Sequence, residues 1–361
     1  MKRALELAAR GQGKTSPNPM VGAVVVRENK LIAEDWHRAS GEKHAERLAL
    51  EKAGTAAKGA TLYVNLEPCC HMGKTPACTD IIISSSISRV VAAVKDPFPE
   101  VSGKGLEILK KAGITVELGL LEKEARRLNE VFFCFHENKR PFVMIKWAMS
   151  LDGRTSTDTG VSQWITGKNS RLHVHRLRSY YDAIGVGVQT VLQDNPLLTV
   201  RMPGYKGKQP VCVILDEKLR IPAKANLFQK SHRIIIVTSA LKGNTLLGRA
   251  KKLETAGAEI MQMPLVKKLI PIPSIMKALY QEQIQSIFVE GGRHVAGSFV
   301  KEGIVDKFGV FIAPKIIGGA MVTSPLIFEG PSSLENALNL RDTKVTMMDP
   351  DIYLEGYPKI I

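Results

Sequence analysis

His44-Ala45-Glu46, then the apolar run Ala60-Thr61-Leu62-Tyr63-Val64-Asn65-Leu66, then Glu67-Pro68-Cys69-Cys70-His71-Met72-Gly73-Lys74-Thr75-Pro76-Ala77-Cys78: the rest of the chain is organised around this stretch. The imidazole of His44 and the thiolates of Cys69 and Cys78 are zinc ligands by type. Three protein ligands leave a fourth tetrahedral position open, as catalytic rather than structural zinc sites do. Glu46, two residues past the histidine, can touch a metal-bound water without being a ligand. A lone histidine or cysteine is more often a packed side chain, but here three ligand types and a carboxylate recur around one strand-like segment. A structural zinc would need a fourth ligand, and Cys70 or His71 could supply it.

The pattern is similar to that of zinc-dependent nucleobase deaminases, H-x-E followed by P-C-x-x-C. The second cysteine comes nine residues after the first rather than three, a departure from that signature.

At 361 residues, and roughly 150 residues per domain, the chain reads as two domains. Apolar residues make up 44% and charged residues 24%, the balance of a globular protein. No apolar run approaches the roughly 20 residues of a membrane span, and Met1 to Arg10 reads as an amphipathic helix rather than a signal peptide. Five cysteines without a disulfide framework suit a reducing compartment, the cytoplasm. The net charge of +15 invites a nucleic-acid reading. Residues 1–144 carry 22 cations and 17 anions and the remainder 28 and 18, so the charge is spread as +5 and +10. Little aromatic residue is interleaved with it, which argues against stacking on single strands.

Along the chain, a helix over about 2–11 ends at Gly11-Gln12-Gly13, and strands are expected at Val21–Val26 and Leu31–Ala33. Asn18, between Pro17 and Pro19, has a stiff backbone and an amide suited to reading a heterocycle edge. A helix over Glu42–Ala53 would carry His44 in its first turn. After a strand at Leu62–Leu66, Thr75 and Pro76 read as N-cap and first position of a helix that holds Cys78 in its first turn. Strands at Arg89–Val94 and Ile114–Val116 flank a helix at Leu106–Ala112, a layered α/β pattern of about 140 residues. Beyond the Arg140-Pro141 boundary, strands are expected at 142–146, 183–187, 211–215, 233–237, 286–290 and 308–312. Helices at about 168–180, 244–256, 273–284 and 295–302 make this a second α/β unit with a mainly parallel sheet. Gly185-Val186-Gly187 is a weak partial dinucleotide fingerprint. Glu290-Gly291-Gly292-Arg293-His294, between a strand and a helix, reads equally as a phosphate-binding turn or as a plain tight strand-to-helix turn.

The segments PNPMVGAVVV (17–26), HAE (44–46), LEPCCHMGKTPAC (66–78), SLDGRT (150–155), SQWIT (162–166), TVLQDNPLLTVR (190–201), VEGG (289–292) and APKIIGG (313–319) together resemble the bacterial family of bifunctional riboflavin-biosynthesis deaminase/reductases. The resemblance covers nearly the whole chain. It implies an α/β protein with an N-terminal cytidine-deaminase-like three-layer domain, residues 1–140, and a C-terminal dihydrofolate-reductase-like domain, residues 141–361. The first would use one zinc ion to deaminate 2,5-diamino-6-ribosylamino-4(3H)-pyrimidinone 5′-phosphate. The second would use NADPH to reduce the ribosyl chain to ribityl.

By motif position the resemblance implies zinc on His44, Cys69 and Cys78, with Glu46 moving protons between water and the ring. Asn18, His37, His71, Lys74 and Asp96 would hold the pyrimidine phosphate. Ala148, Trp164, Thr190, Asp194 and the loop Gly292, Arg293, His294, Val295, Ala296, Gly297, Ser298 would contact NADPH. Ser162, Arg178, Leu198, Arg201 and Glu290 would contact the reductase substrate, and Lys146 would stabilise charge at the sugar. Partners are then phosphorylated pyrimidines, with no nucleic acid and no membrane, in a homo-oligomer. Two positions depart from the family pattern: Phe98 replaces a usual Asn, and Cys70 a small residue. Two other readings remain at this level, a nucleic-acid deaminase suggested by the basic charge and a non-catalytic module with structural zinc.

Overall fold

The computed structural model describes residues 1–72, 76–230, 232–266, 269–320 and 324–359. It divides into two compact units, Met1–Lys139 and Arg140–Ile361.

In the first unit the elements are α1 (Lys2–Ala9), β1 (Gly22–Arg27), β2 (Lys30–Trp36), α2 (Ala45–Ala53), β3 (Thr61–Val64), α3 (Cys78–Ser84), β4 (Arg89–Ala92), α4 (Lys104–Lys111), β5 (Thr115–Leu118), α5 (Glu122–Leu128) and α6 (Glu130–Asn138). The strands form one sheet in the order β2-β1-β3-β4-β5. β1 is antiparallel to β2 and β3, while β3, β4 and β5 run parallel. Side chains alternate across a strand, and here both faces are apolar. Ala23 and Val25 pack with α2, α3 and α4 through Ala49, Ile82 and Leu109. Val24 packs on the other face against Ala4 and Leu7 of α1. The result is a helix-sheet-helix sandwich. Gly22 lets α1 come this close, since a Cβ there would lie 2.1 Å from the carbonyl oxygen of Ala4.

Two local expectations are corrected. His44 is the N-cap of α2, in extended conformation at φ −72° and ψ 160°, one residue before the helix rather than inside its first turn. Helix α3 is N-capped by Ala77 instead of Thr75, which lies outside the described residues. The carbonyl of Cys69 explains this: it accepts the N–H groups of Cys78 at 3.1 Å and Thr79 at 3.2 Å, so a distant segment does the work of a local cap.

The second unit comprises β6 (Phe142–Ser150), α7 (Lys168–Arg178), β7 (Ala183–Gly187), α8 (Val188–Asp194), β8 (Val211–Leu215), β9 (Ile234–Ser239), α9 (Asn244–Thr255), β10 (Ala258–Met263), α10 (Ile272–Gln281), β11 (Ser286–Gly291), α11 (Arg293–Lys301), β12 (Lys307–Ala313), β13 (Leu340–Met348) and β14 (Asp351–Pro358). The sheet order is β10-β9-β8-β7-β11-β6-β12-β14-β13. It is parallel from β10 to β12, and β14 and β13 continue it antiparallel. Helices α10 and α11 cover one face of the parallel part, and α8 and α9 the other. Buried on both sides, these strands read as near-continuous apolar runs. The β13–β14 hairpin was not expected from the sequence. β13 is an edge strand, mostly exposed and mostly polar, and lacks that signature.

Candidate active sites

In the first unit, His44, Cys69 and Cys78 bring their ligand atoms within 4.8 Å of one another. Nδ1 of His44 lies 3.4 Å from Sγ of Cys69 and 3.3 Å from Sγ of Cys78. The N–H of Cys78 also points at the Cys69 sulfur, at 3.4 Å. The hydrogen bond from Cys78, with His44 alongside, pulls the Cys69 thiol down to about 4. The same bond and burial push the Cys78 thiol well above its usual range. Without a cation only one sulfur is comfortably a thiolate. A divalent ion favours both thiolates at once, and two S and one N donors fit zinc.

Glu46 sits in the first turn of α2, buried, and burial pushes its carboxyl up to about 7. One of its oxygens, Oε2, has no hydrogen-bond partner among the described residues. A buried acceptor left open beside the donor set is what a proton-handling carboxylate requires.

Cys70 is turned away: its thiol donates to the carbonyl of Glu100 at 3.7 Å. Among the described residues the ligand group closes without Cys70 or His71. That removes the support for a four-ligand structural site.

His37 and Asn18 form a relay. Nδ1 of His37 lies 3.1 Å from the carbonyl of Lys43, and burial lowers the ring's pKa, so the neutral ring donates there. Its Nε2 must then accept from Nδ2 of Asn18 at 3.1 Å, which sets the amide of Asn18 in one orientation. The His37 ring meets His44 edge-on at 5.2 Å. Asp96 is buried, accepts the N–H of Phe98 at 2.7 Å, and is pushed up to about 7 by burial. Phe98 packs edge-on between His71 at 5.8 Å and His136 at 5.3 Å, so this position is an aromatic contact. Nδ1 of His71 is buried with no partner among the described residues. Lys74 lies outside them.

Sequence reasoning missed Glu67. This buried carboxylate accepts four backbone N–H groups, from Asp96 and Gly103 on Oε2 and from Gly105 and Leu106 on Oε1, at 2.9–3.3 Å. It ties the Asp96 loop and the start of α4 to the segment that carries Cys69. The signal was a glutamate closing a buried apolar run.

The second unit holds a cavity of about 580 Å3. It gathers Lys146, Ala148, Ser162, Trp164, Arg178, Thr190, Asp194, Leu198, Arg201 and Glu290, all expected from the sequence. Arg178 is bound to Glu290 at both ends of its guanidinium, at 2.5 and 2.9 Å, and Nη1 donates to the carbonyl of Thr199 at 2.9 Å. Its fork is thus spent inside the wall, whereas among the described residues the Arg201 guanidinium makes a single bond, to Oγ1 of Thr199 at 3.2 Å. Burial lowers the Lys146 ammonium, and Glu290 offsets part of that. Leu198 holds a left-handed backbone, φ 50°, an uncommon conformation that clusters at functional sites.

Gly292 N-caps α11 with φ 86°, where a side chain would be strained. The loop 292–298 does not itself line the cavity but borders it, since a Cβ on Gly291 would lie 3.0 Å from Oγ1 of Thr190. Gly297 serves packing: a Cβ there would lie 1.9 Å from the carbonyl oxygen of Ile327. His175 and Asn226 also line the cavity and were not anticipated. An open cavity with a glycine-bounded helix start suits a dinucleotide.

Among the described residues no helix is long and apolar enough to cross a membrane. The family model for the cytidine and deoxycytidylate deaminase zinc-binding region matches residues 1–94, and that for the RibD C-terminal domain matches residues 141–354. The riboflavin biosynthesis protein RibD of Aquifex aeolicus is 45% identical over 98% of this chain and 96% of its own. A crystal form of Acinetobacter baumannii RibD is 35% identical with a TM-score of 0.87, over 99% of this chain and 98% of that one. The Thermotoga maritima diaminohydroxyphosphoribosylaminopyrimidine deaminase/5-amino-6-(5-phosphoribosylamino)uracil reductase is 38% identical with a TM-score of 0.82, over 99% and 97%. The N-terminal unit is cytidine-deaminase-like and the C-terminal unit dihydrofolate-reductase-like. With both units matched in order and nearly end to end, the chain belongs to the RibD family of bifunctional riboflavin-biosynthesis enzymes.

Proposed function

We propose that residues 1–140 deaminate 2,5-diamino-6-ribosylamino-4(3H)-pyrimidinone 5′-phosphate and residues 141–361 reduce its ribosyl chain to ribityl. The observation that carries the first step is the buried Glu46 carboxylate, one oxygen open, beside the His44, Cys69 and Cys78 donor set. Zinc, held by those three residues, would supply Lewis-acid activation of water. Glu46 carries the water's first proton to the ring nitrogen, then takes the proton of the newly added hydroxyl and delivers it to the departing amine. Asn18, oriented by His37, reads the pyrimidine edge. Asp96, His71 and Lys74 complete the substrate contacts.

In the reductase half NADPH would supply the hydride. Ala148, Trp164, Thr190, Asp194 and the loop from Gly292 to Ser298, with Gly297 seating that loop against Ile327, hold the dinucleotide. Ser162, Leu198 and Arg201 hold the substrate, with Arg201 the cation available to its phosphate. The Arg178–Glu290 pair shapes the wall beside them. Lys146, close enough to Glu290 to feel its charge, stabilises charge at the sugar oxygen. A cytoplasmic setting suits five free thiols. A homo-oligomer suits Val345 and Met347, exposed on the outermost strand β13.

The test follows ammonia release and NADPH oxidation on zinc-loaded protein given the diaminopyrimidine phosphate. Glu46→Gln should abolish ammonia release and leave reduction of the deaminated substrate intact. Ammonia release by that variant at the natural rate would refute the role of Glu46. An absence of NADPH oxidation in the natural protein would refute the reductase assignment.

A further inference from the structure

Two buried asparagine side chains of the N-terminal unit converge on the backbone of one residue, Met20. Asn129 accepts the N–H of Met20 on Oδ1 at 2.8 Å and donates from Nδ2 to its carbonyl at 2.9 Å. Asn65 donates from Nδ2 to that same carbonyl at 2.9 Å and accepts the N–H of Gly22 on Oδ1 at 2.8 Å. A side-chain amide offers a donor and an acceptor side by side, and so can match both backbone groups of one residue. Asn129 joins α5 to α6, a place where asparagine ordinarily caps a helix, yet its side chain makes no capping bond and reaches Met20 instead. Asn65 is the residue after β3 and lies four positions before Cys69.

Met20 lies two residues after Asn18, and the bonds around them close a circuit. The N–H of Asn18 donates to the carbonyl of Thr15 at 2.8 Å, and the carbonyl of Val21 accepts the N–H of His37 at 2.8 Å. Nε2 of His37 in turn lies 3.1 Å from Nδ2 of Asn18. Backbone from Asn18 to Val21, the His37 residue and the Asn18 amide are thus linked in one loop of contacts. Met20 is where two asparagines from distant elements fasten that loop to the fold. Through Asn65 it is referenced to the segment that carries Cys69.

We propose that Asn65 and Asn129 are positioning residues of the deaminase reaction: by holding Met20 they fix the amide of Asn18 against the pyrimidine, and they act on ring binding through Asn18. The proposal rests on the reading of Asn18 given above and adds the residues that set its place. Neither asparagine touches the substrate. Removing the Asn65 amide leaves the Met20 carbonyl one donor short. Removing that of Asn129 also strips the Met20 N–H of its acceptor. The backbone then shifts to recover those bonds. Displacement of a positioning group by about 1 Å can cost a rate factor of about a hundred.

The experiment is a double-mutant cycle on the full zinc-loaded chain, with ammonia release from the diaminopyrimidine phosphate and bound zinc per chain measured side by side. Asn65→Ala and Asn129→Ala should each raise KM about tenfold while zinc content stays at the natural level. In an Asn18→Ala background the same changes should raise KM by less than about twofold, because the group they position is gone. Asn65→Ser and Asn129→Ser, which keep a hydroxyl near Met20 in a smaller side chain, run through the same cycle and guard against an alanine variant that does not fold. Effects that multiply fully with Asn18→Ala overturn the proposal, since they would reach the substrate by another route. A fall in kcat in step with lost zinc at unchanged KM overturns it too, and marks the two amides as packing alone. If Asn18→Ala by itself leaves KM unchanged, the reading of Asn18 fails and the positioning role falls with it.

Discussion

Glu290 holds Arg178 by both arms of its guanidinium, Nε on Oε1 and Nη2 on Oε2, although 112 positions separate them and both side chains are largely buried. The pair joins the end of α7 to the end of β11 at the wall of the reductase cavity.

Removing one partner leaves the other charge buried and alone. Glu290→Gln should cost the reductase unit about 3–5 kcal/mol and most of its NADPH oxidation. Arg178→Lys should not rescue activity, because an ammonium cannot span both oxygens. Separate ammonia and NADPH assays with a urea titration check this; an unchanged reductase midpoint would contradict it. Arg178 holds the Glu290 carboxyl below its ordinary 4.5 against the opposing effect of burial. The pair's contribution is therefore full above about 4.5 and lost as pH falls through the lower native value.

His175 gives a second pH effect, at higher pH. Burial, helped by Arg178 and Arg201, lowers it from 6.5 to about 4. A depressed histidine favours the neutral fold, so its contribution is present above 6.5 and lost as pH falls toward about 4. Melting temperature of the reductase unit should decline across that window, and His175→Gln should flatten the decline. Parallel curves for the two proteins would remove His175 as the cause.

Glu67 accepts four backbone N–H groups, two on each carboxylate oxygen. Glu67→Ala should destabilise the deaminase unit by about 2–4 kcal/mol, since bonds to a charged acceptor are worth about 1.5–3 kcal/mol each and water repays part. Deamination should drop while NADPH oxidation on deaminated substrate persists. Denaturant midpoints of the two units, followed separately, test this.

Gly297→Ala places a methyl where the carbonyl of Ile327 stands. The backbone must shift, at about 1–3 kcal/mol, and α11 would lose its seat. A drop in thermal stability without dinucleotide present is expected. Lost NADPH affinity at unchanged stability would instead make Gly297 a direct contact.

The His44, Cys69 and Cys78 cluster was legible because a metal ligand must be a particular side chain, and His44 immediately precedes α2 while Cys78 opens α3. The same holds for the parallel strands of the second half, whose burial on both faces demands continuous apolar runs. Cys70 was ambiguous in sequence: a cysteine next to a ligand can turn either way, and only the Glu100 carbonyl decides it.

By itself the sequence determined two α/β units, the ligand types gathered at the first site, and ten of the residues that line the second cavity. Tertiary structure alone decided that Arg178 is spent on Glu290, that Glu67 ties the Asp96 loop to the Cys69 segment, that the Cys69 carbonyl takes the first N–H groups of α3, and that β13 and β14 extend the sheet. Those outcomes depend on pairings between groups far apart in the chain, or on an edge strand with no buried face to mark it. Hydrogen-bond and ion-pair energies are set by ångström-scale distance, and spacing along a sequence does not report it.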